Sequence, residues 1–224
     1  MSRSKLFASL LIRLFGGVVM FGLLFFLPAG TWRYWQAWMY IAVLILPMFF
    51  VMVYFMKRDP TLLERRTKMQ EGRREQRQII AAFGLAFVIA FLLPGFDIRY
   101  GWSNMPAWVS ILAAVVMFLS YMLVFRTMQV NSYLSRVIEV ATGQKVIDTD
   151  VYGIVRHPMY VGMLILMLVS PIVLGSWWAF IPALAVIPLI AARILDEEKA
   201  LEQDLPGYVE YKTRVKFRLI PFVW

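Results

Sequence analysis

Apolar runs and short polar segments alternate along the chain at the spacing of a lipid bilayer. Residues 6–27 are apolar apart from Arg13, which lies within two turns of the start of the run and can reach back to the interface. The run exceeds the ~7–15-residue apolar region of a signal peptide and no A-x-A-like site follows it, so it reads as a span rather than a cleaved leader. Trp32, Tyr34, Trp35 and Trp38 supply the aromatic enrichment of a headgroup layer, and a second span follows over 38–56. A third, 79–93, ends at Pro94-Gly95, with 96–105 as the loop beyond it. Pro106 opens a fourth over 106–125, proline being a good first-turn residue. Two more runs, 160–174 and 176–194, meet at Gly175 as a tight helical hairpin. Pro171, Pro182 and Pro188 interrupt this pair, which lipid tolerates where neighbouring helices or a cavity satisfy the freed carbonyls. At ~20 residues per crossing, the chain is predicted to be an all-α integral membrane protein with about six transmembrane segments.

Composition sharpens this reading. Of 224 residues, 61% are hydrophobic and 17% charged, with a mean hydropathy of +0.68, whereas a soluble domain is ~45–50% apolar and ~25% charged. A water-soluble globule is excluded. The chain has no cysteine, which removes disulfides, thiolate metal sites, a cysteine nucleophile and S-palmitoylation together. A net charge of +9 would suggest nucleic acid in a soluble protein. Here the basic residues sit between apolar runs, where they set membrane orientation, so no nucleic-acid partner is expected. Residues 57–78 hold eight Lys or Arg (Lys57, Arg58, Arg65, Arg66, Lys68, Arg73, Arg74, Arg77) against four acids. This segment, the amino terminus, 126–159 and the tail are expected on the cytoplasmic side, with Arg33 and Arg99 as the main outer charges. No internal repeat supports an inverted-repeat transporter.

Polar residues that topology leaves unexplained gather in the last hundred positions. Val137–Val140 and the run 145–147 are rich in β-branched residues and flank Ala-Thr-Gly-Gln, so a short hairpin or an extended loop is expected on the cytoplasmic face. Arg156-His157-Pro158 follows, then the apolar hairpin, then Arg193 and Asp196-Glu197-Glu198 where the last run ends, and finally Gly207-Tyr-Val-Glu-Tyr and a basic tail. Each piece has an ordinary reading. His157 before proline at a helix start would hydrogen-bond a loop carbonyl. Arg193 and Glu197, four apart, would form a surface ion pair worth ~0.3–0.5 kcal/mol. The three acids would be solvated, and the tail would hold anionic lipid at ~1 kcal/mol per charge.

The order of the pieces is more specific than any one of them. Gly-Gln-x-Val-Ile, Tyr, Arg-His-Pro-x-Tyr-x-Gly, a tight apolar hairpin, Arg-x-x-x-Glu-Glu and Gly-Tyr-x-x-Tyr, in that sequence, resemble the isoprenylcysteine carboxyl methyltransferase family. That family and the related phospholipid methyltransferases are integral membrane enzymes that use S-adenosylmethionine. The resemblance covers 126–224 and divides the chain into generic spans, 1–125, and a methyltransferase core, 126–224. It implies a cytosolic cofactor pocket made by Gln144, Lys145, Val146, Ile147, Tyr152, His157, Pro158, Met159, Tyr160, Glu197 and Glu198. Arg193 would face the substrate carboxylate, and Arg193 and Glu197 would be the catalytic pair. Three positions depart from the pattern, one of them Val137, which is apolar near where a polar adenine-side contact is expected, so that contact is left unassigned. Asp150 stands two residues before Tyr152, where many relatives have glycine, and Gln144 stands where eukaryotic members carry histidine.

Chemistry agrees with the implied activity. Methyl transfer from a sulfonium is an in-line displacement needing reactants ~3–3.5 Å apart and shielded from water. A carboxylate nucleophile is already ionised at neutral pH, so neither a metal nor a general base is called for. Arg193 can hold one carboxylate in its planar fork, Glu197 can orient Arg193 or take the cofactor's ribose hydroxyls or amino group, and Tyr152 and Tyr160 can offer ring faces to the sulfonium. The expected acceptor is lipophilic and isoprenylcysteine-like, S-adenosylhomocysteine being the other product, with membrane lipids as the surrounding partners. A phospholipid amine or a small thiol is the alternative acceptor. A channel, transporter or scaffold is the alternative class, and it would spread polar residues through several spans.

Overall fold

The computed structural model describes residues 2–67, 74–135 and 140–224, with the backbone alone over 74–77. Lys68 and Arg73 of the basic segment, and Val137 with most of its β-branched run, lie outside the described residues. Helices α1 (Arg3–Ala29), α2 (Trp35–Arg58), α3 (Pro60–Arg66), α4 (Arg74–Tyr100), α5 (Ala107–Val130), α6 (Pro158–Val173), α7 (Phe180–Ala183), α8 (Val186–Asp204) and α9 (Tyr208–Arg214) follow in order, with one 3₁₀ turn at Asp150–Gly153. No strand occurs among the described residues. Four helices, the apolar parts of α1, α2, α4 and α5, are long and apolar enough to cross a membrane, and α6 is a shorter apolar helix.

Helix boundaries follow the local chemistry. Asp59 caps α3 by accepting from the Leu62 amide at 3.1 Å, and Pro60 takes the first helical position, where no amide is missed. Pro106 precedes α5 rather than opening it, and α5 runs on to Val130, so residue 125 lies inside this helix. Pro94-Gly95 does not end the third span: α4 continues through Pro94 to Tyr100. In water Pro-Gly is strong punctuation, but in hydrocarbon an abandoned helix exposes backbone groups that nothing solvates, so the helix persists. Between 131 and 158 the described chain is an extended loop interrupted by the 3₁₀ turn.

The expected hairpin forms with a more elaborate second arm. Gly175 turns the chain with φ +78°, a conformation suited to glycine, and the Ser176 amide bonds back to Pro171 O at 3.0 Å. The second run then divides into α7 and α8, with Pro182 inside α7 and Pro188 in the first turn of α8. Tyr34 donates to Leu174 O at 2.5 Å, and buried Asp97 accepts from Ser176 Oγ and from the Ser103 amide at 2.6 Å. These bonds tie the loops at one end of the bundle together. Trp32, Trp35, Trp38, Trp102, Trp108, Trp177 and Trp178 are exposed at that same end, as an interfacial belt requires. Inside, Phe21, Phe25, Tyr40, Phe87 and Phe91 form an aromatic core joining α1, α2 and α4, with Phe25 and Tyr40 edge to face at 5.3 Å.

α5 and α6 pack closely against each other, and Gly162 sets their separation. A Cβ on Gly162 would lie 2.7 Å from Val124 Cγ2 and 2.9 Å from Ser120 O, so only glycine allows this approach. The approach fixes the height and rotation of α6, whose first turn carries His157-Pro158-Met159-Tyr160. Gly162→Ala is therefore expected to destabilise the protein by about 1–3 kcal/mol through overpacking. Thermal melting in detergent reads this out against Gly84→Ala, whose methyl meets nothing within 4 Å and which leaves stability unchanged or slightly raised. Equal melting of the two variants would contradict the role given to Gly162.

Candidate active site

At the end opposite the tryptophan belt, α2, α5 and α8 finish, α6 begins, and the polar segments meet around a cavity. Its accessible interior is about 120 Å³. Gln144, Lys145, Val146 and Ile147 form one wall as extended chain, and Tyr152 comes from the 3₁₀ turn. His157, Pro158, Met159 and Tyr160 enter from the start of α6, and Arg193 and Glu197 from α8. All these sequence-predicted residues line the one cavity. Glu198 does not.

The separation of the two glutamates follows from helix geometry. Successive residues on a helix point ~100° apart, so Glu197 lines the cavity while Glu198, only 2% exposed, points behind it. There Glu198 accepts from Arg156 Nε at 2.7 Å and from Arg218 Nε at 2.9 Å, and pairs with His157 Nε2 at 3.2 Å. Arg156 also donates to Val215 O and Lys216 O at 2.8 Å each. Its backbone amide and that of His157 bond to Phe217 O and Arg218 O at 2.9 and 3.0 Å. One buried carboxylate thus joins α8, the Arg156-His157 segment and the tail. Burial works against ionisation of Glu198, but hydrogen bonds and charge from His157 and Arg156 prevail and hold its carboxyl well below the usual range. The acids are not solvated at a helix exit: Asp196 is 7% exposed and Glu197 is half-buried.

Arg193 and Glu197 meet through Tyr160. Arg193 Nε donates to Tyr160 Oη at 2.9 Å, and the Tyr160 hydroxyl donates to Glu197 Oε2 at 2.6 Å. In place of a loose surface pair, the i, i+4 spacing here yields a three-membered chain inside the cavity. Gln144 folds back on its own turn, its Oε1 accepting from the Ala141 amide at 2.9 Å. The departure at Asp150 also has a structural answer. Its φ is +58°, the left-handed region in which glycine is unstrained. Both carboxylate oxygens engage Arg126, Nε at 3.2 Å and Nη2 more closely, and Oδ1 accepts from the Val151 amide at 2.8 Å. The hydrogen bond from Arg126 is the chief cause that lowers the Asp150 carboxyl from its ordinary value.

Several lining residues carried no role in the sequence reading: Asn131, Tyr133, Arg156, Tyr208 and Tyr211. Tyr208 and Tyr211 are three apart and so share a face of α9, a signal legible in Gly-Tyr-x-x-Tyr; Tyr211 donates to Tyr152 O at 2.7 Å. Tyr208 Oη is buried with no hydrogen-bond partner among the described residues. Burial raises its phenol well above the ordinary value, so it stays a protonated donor. A buried, unpartnered donor on a cavity wall fits a polar ligand. With Asn131, His157 and Glu197 beside Val146, Leu201 and Leu205, the wall has the mixed polar and apolar character that an adenosyl amino acid needs. Among the described residues no cluster of metal-ligating side chains occurs.

Glu198→Gln is expected to cost about 3–5 kcal/mol by leaving buried arginine charge uncompensated, whereas Glu197→Gln costs much less in melting temperature. Because Glu198 ionises below the ~4.3 of an unfolded glutamate, its contribution is complete above about pH 5. It declines as pH falls through 4 toward the folded value. Melting between pH 3 and 7 checks this: the wild type loses stability at the acid end, and Glu198→Gln lacks that component.

No curated protein matched the sequence. The solved structure of the eukaryotic intramembrane Ras methyltransferase ICMT (isoprenylcysteine carboxyl methyltransferase) matches with a TM-score of 0.53 and 17% identity, over 96% of this chain and 86% of that one; at such identity the likeness is one of fold. Residues 111–203 match the isoprenylcysteine carboxyl methyltransferase (ICMT) family model, a stretch from the second turn of α5 nearly to the end of α8. The resemblance read from the sequence is thereby borne out: this all-helical, multi-pass membrane chain carries, over 111–203, the pattern of the isoprenylcysteine carboxyl methyltransferase family.

Proposed function

We propose that this protein is a membrane methyltransferase that uses S-adenosylmethionine to esterify the carboxylate of a lipophilic, isoprenylcysteine-like acceptor. The observation that carries the reading is the convergence of His157, Tyr160, Arg193 and Glu197 on one cavity within the stretch that matches the family. S-adenosylmethionine, when bound, supplies an electrophilic methyl group and departs as the neutral thioether, and the acceptor oxygen forms the new bond without releasing a proton. The protein's task is then to bind, orient and dehydrate.

Each residue has a part in that task. Tyr208, Asn131 and the 144–147 wall, with Tyr152, hold the cofactor, and His157, Pro158 and Met159 close its floor. Arg193, oriented by Tyr160 and through it by Glu197, receives the acceptor carboxylate, and Glu197 also takes the cofactor's ribose hydroxyls or amino group. A guanidinium prefers an anion there, and a neutral or cationic amine gains nothing from it. Basic segments gather at the cavity end, so this end faces the cytoplasm, where a water-soluble cofactor enters and a lipid-dissolved acceptor arrives from the side.

Three measurements test the reading. Calorimetric titration of the detergent-solubilised protein with S-adenosylhomocysteine is expected to show binding, weakened about two- to tenfold by Tyr208→Phe, the worth of one neutral hydrogen bond. Arg193→Ala should leave that affinity nearly intact and abolish turnover, while Glu197→Gln weakens cofactor binding; the reverse pattern overturns the roles. With labelled cofactor and a prenylcysteine acceptor, the product should be a base-labile methyl ester. An alkali-stable product alone would assign an amine or thiol acceptor and sink the carboxylate reading.

A further inference from the structure

We infer that Arg65, on α3 and outside the family-matched stretch, is a positioning residue for the cavity wall; the consequence for cofactor affinity rests on the reading above. α3 is held firmly. Leu62 is fully buried and Leu63 nearly so, both packed with Met128 and Met159, and Arg66 donates to Met159 Sδ at 3.2 Å. From this base Arg65 Nη1 donates to Ser132 O at 2.7 Å, and its guanidinium lies 5.6 Å from the centre of the Tyr133 ring.

The bend that Arg65 grips is wired into the cavity on both sides. Tyr133 donates its amide to Asn131 Oδ1 at 2.9 Å, and Asn131 Nδ2 donates to Tyr152 Oη at 3.0 Å. On the other side the Tyr133 hydroxyl donates to Gly143 O at 3.3 Å, next to the 144–147 wall. Asn131, Tyr133 and Tyr152 all line the cavity, whereas Arg65 is not among its lining residues. Arg65 therefore acts as a strut: it fixes Tyr133, and Tyr133 fixes the spacing between α5's end and the 141–147 turn. A lysine could keep the charge over the ring and one hydrogen bond, but not the guanidinium's fixed fork.

Hydrogen exchange and ligand titration on the full-length protein in detergent test this separately. In ligand-free Arg65→Ala, peptides covering 131–135 should exchange several-fold faster, with α1 and α2 unchanged. Its affinity for S-adenosylhomocysteine should fall about three- to tenfold, the loss of one hydrogen bond and one cation–π contact, and Arg65→Lys should recover part of it. Tyr133→Ala should produce a similar loss, and the double variant should be no weaker than Tyr133→Ala alone, since the two residues act as a unit. Unchanged exchange over 131–135 in Arg65→Ala overturns the strut whatever the ligand does, as do additive losses in the double variant. If the wild type itself fails to bind S-adenosylhomocysteine, the functional reading falls, while the exchange data still decide the strut.

Discussion

A single buried carboxylate, Glu198, ties α8, the Arg156-His157 segment and the tail to one another. Arg156, His157 and Arg218 converge on it, and Arg156 reaches on to two carbonyls of the tail. Desolvating this many charges is costly, and a hydrophobic cluster of the same volume would often be as stable. What the charges supply is direction: each bond has one geometry, so α8 can sit at only one height beside the first turn of α6. Arg193 and Glu197 occupy the cavity because the residue beside Glu197 is fixed behind it.

The packing of the spans serves the same end. Gly162 lets α6 approach α5 until backbone meets side chain, and the Gly175 turn returns the chain toward α8. At the far end, Asp97, Ser103 and Ser176 bind the loops to one another. The bundle is thus tied at both ends, by a neutral and acidic network under the tryptophan belt and by an ionic one under the cavity. The amino-terminal helices do more than anchor the chain, since α3 buries its leucines against Met159 of the cavity floor.

The spans were legible in the sequence because hydrocarbon leaves few ways to satisfy a backbone, and long apolar runs have no other stable fate. The same constraint carries α4 through Pro94, where rules for turns in water do not apply. The motif residues were legible as a set, from their order. Their individual roles were not: Glu197 and Glu198 are adjacent and chemically identical, and only the rotation of α8 assigns one to the cavity and the other to the tail. Asn131 and Tyr133 left no trace, because an irregular loop has no period, and Val137 falls outside the described residues. The tyrosines of Gly-Tyr-x-x-Tyr could have been picked out by their shared face.

Asp150 shows how one turn admits two chemical solutions. The backbone there needs a left-handed residue, which glycine accepts without strain, but this chain uses an aspartate whose side chain is held by Arg126 and by its own neighbour's amide. The arginine at 126 therefore supports the residue at 150, and the two form a linked choice. In a homologue with glycine at the turn, the helix end facing it is released from carrying a cation, and the two sites should drift together through evolution as a compensated pair.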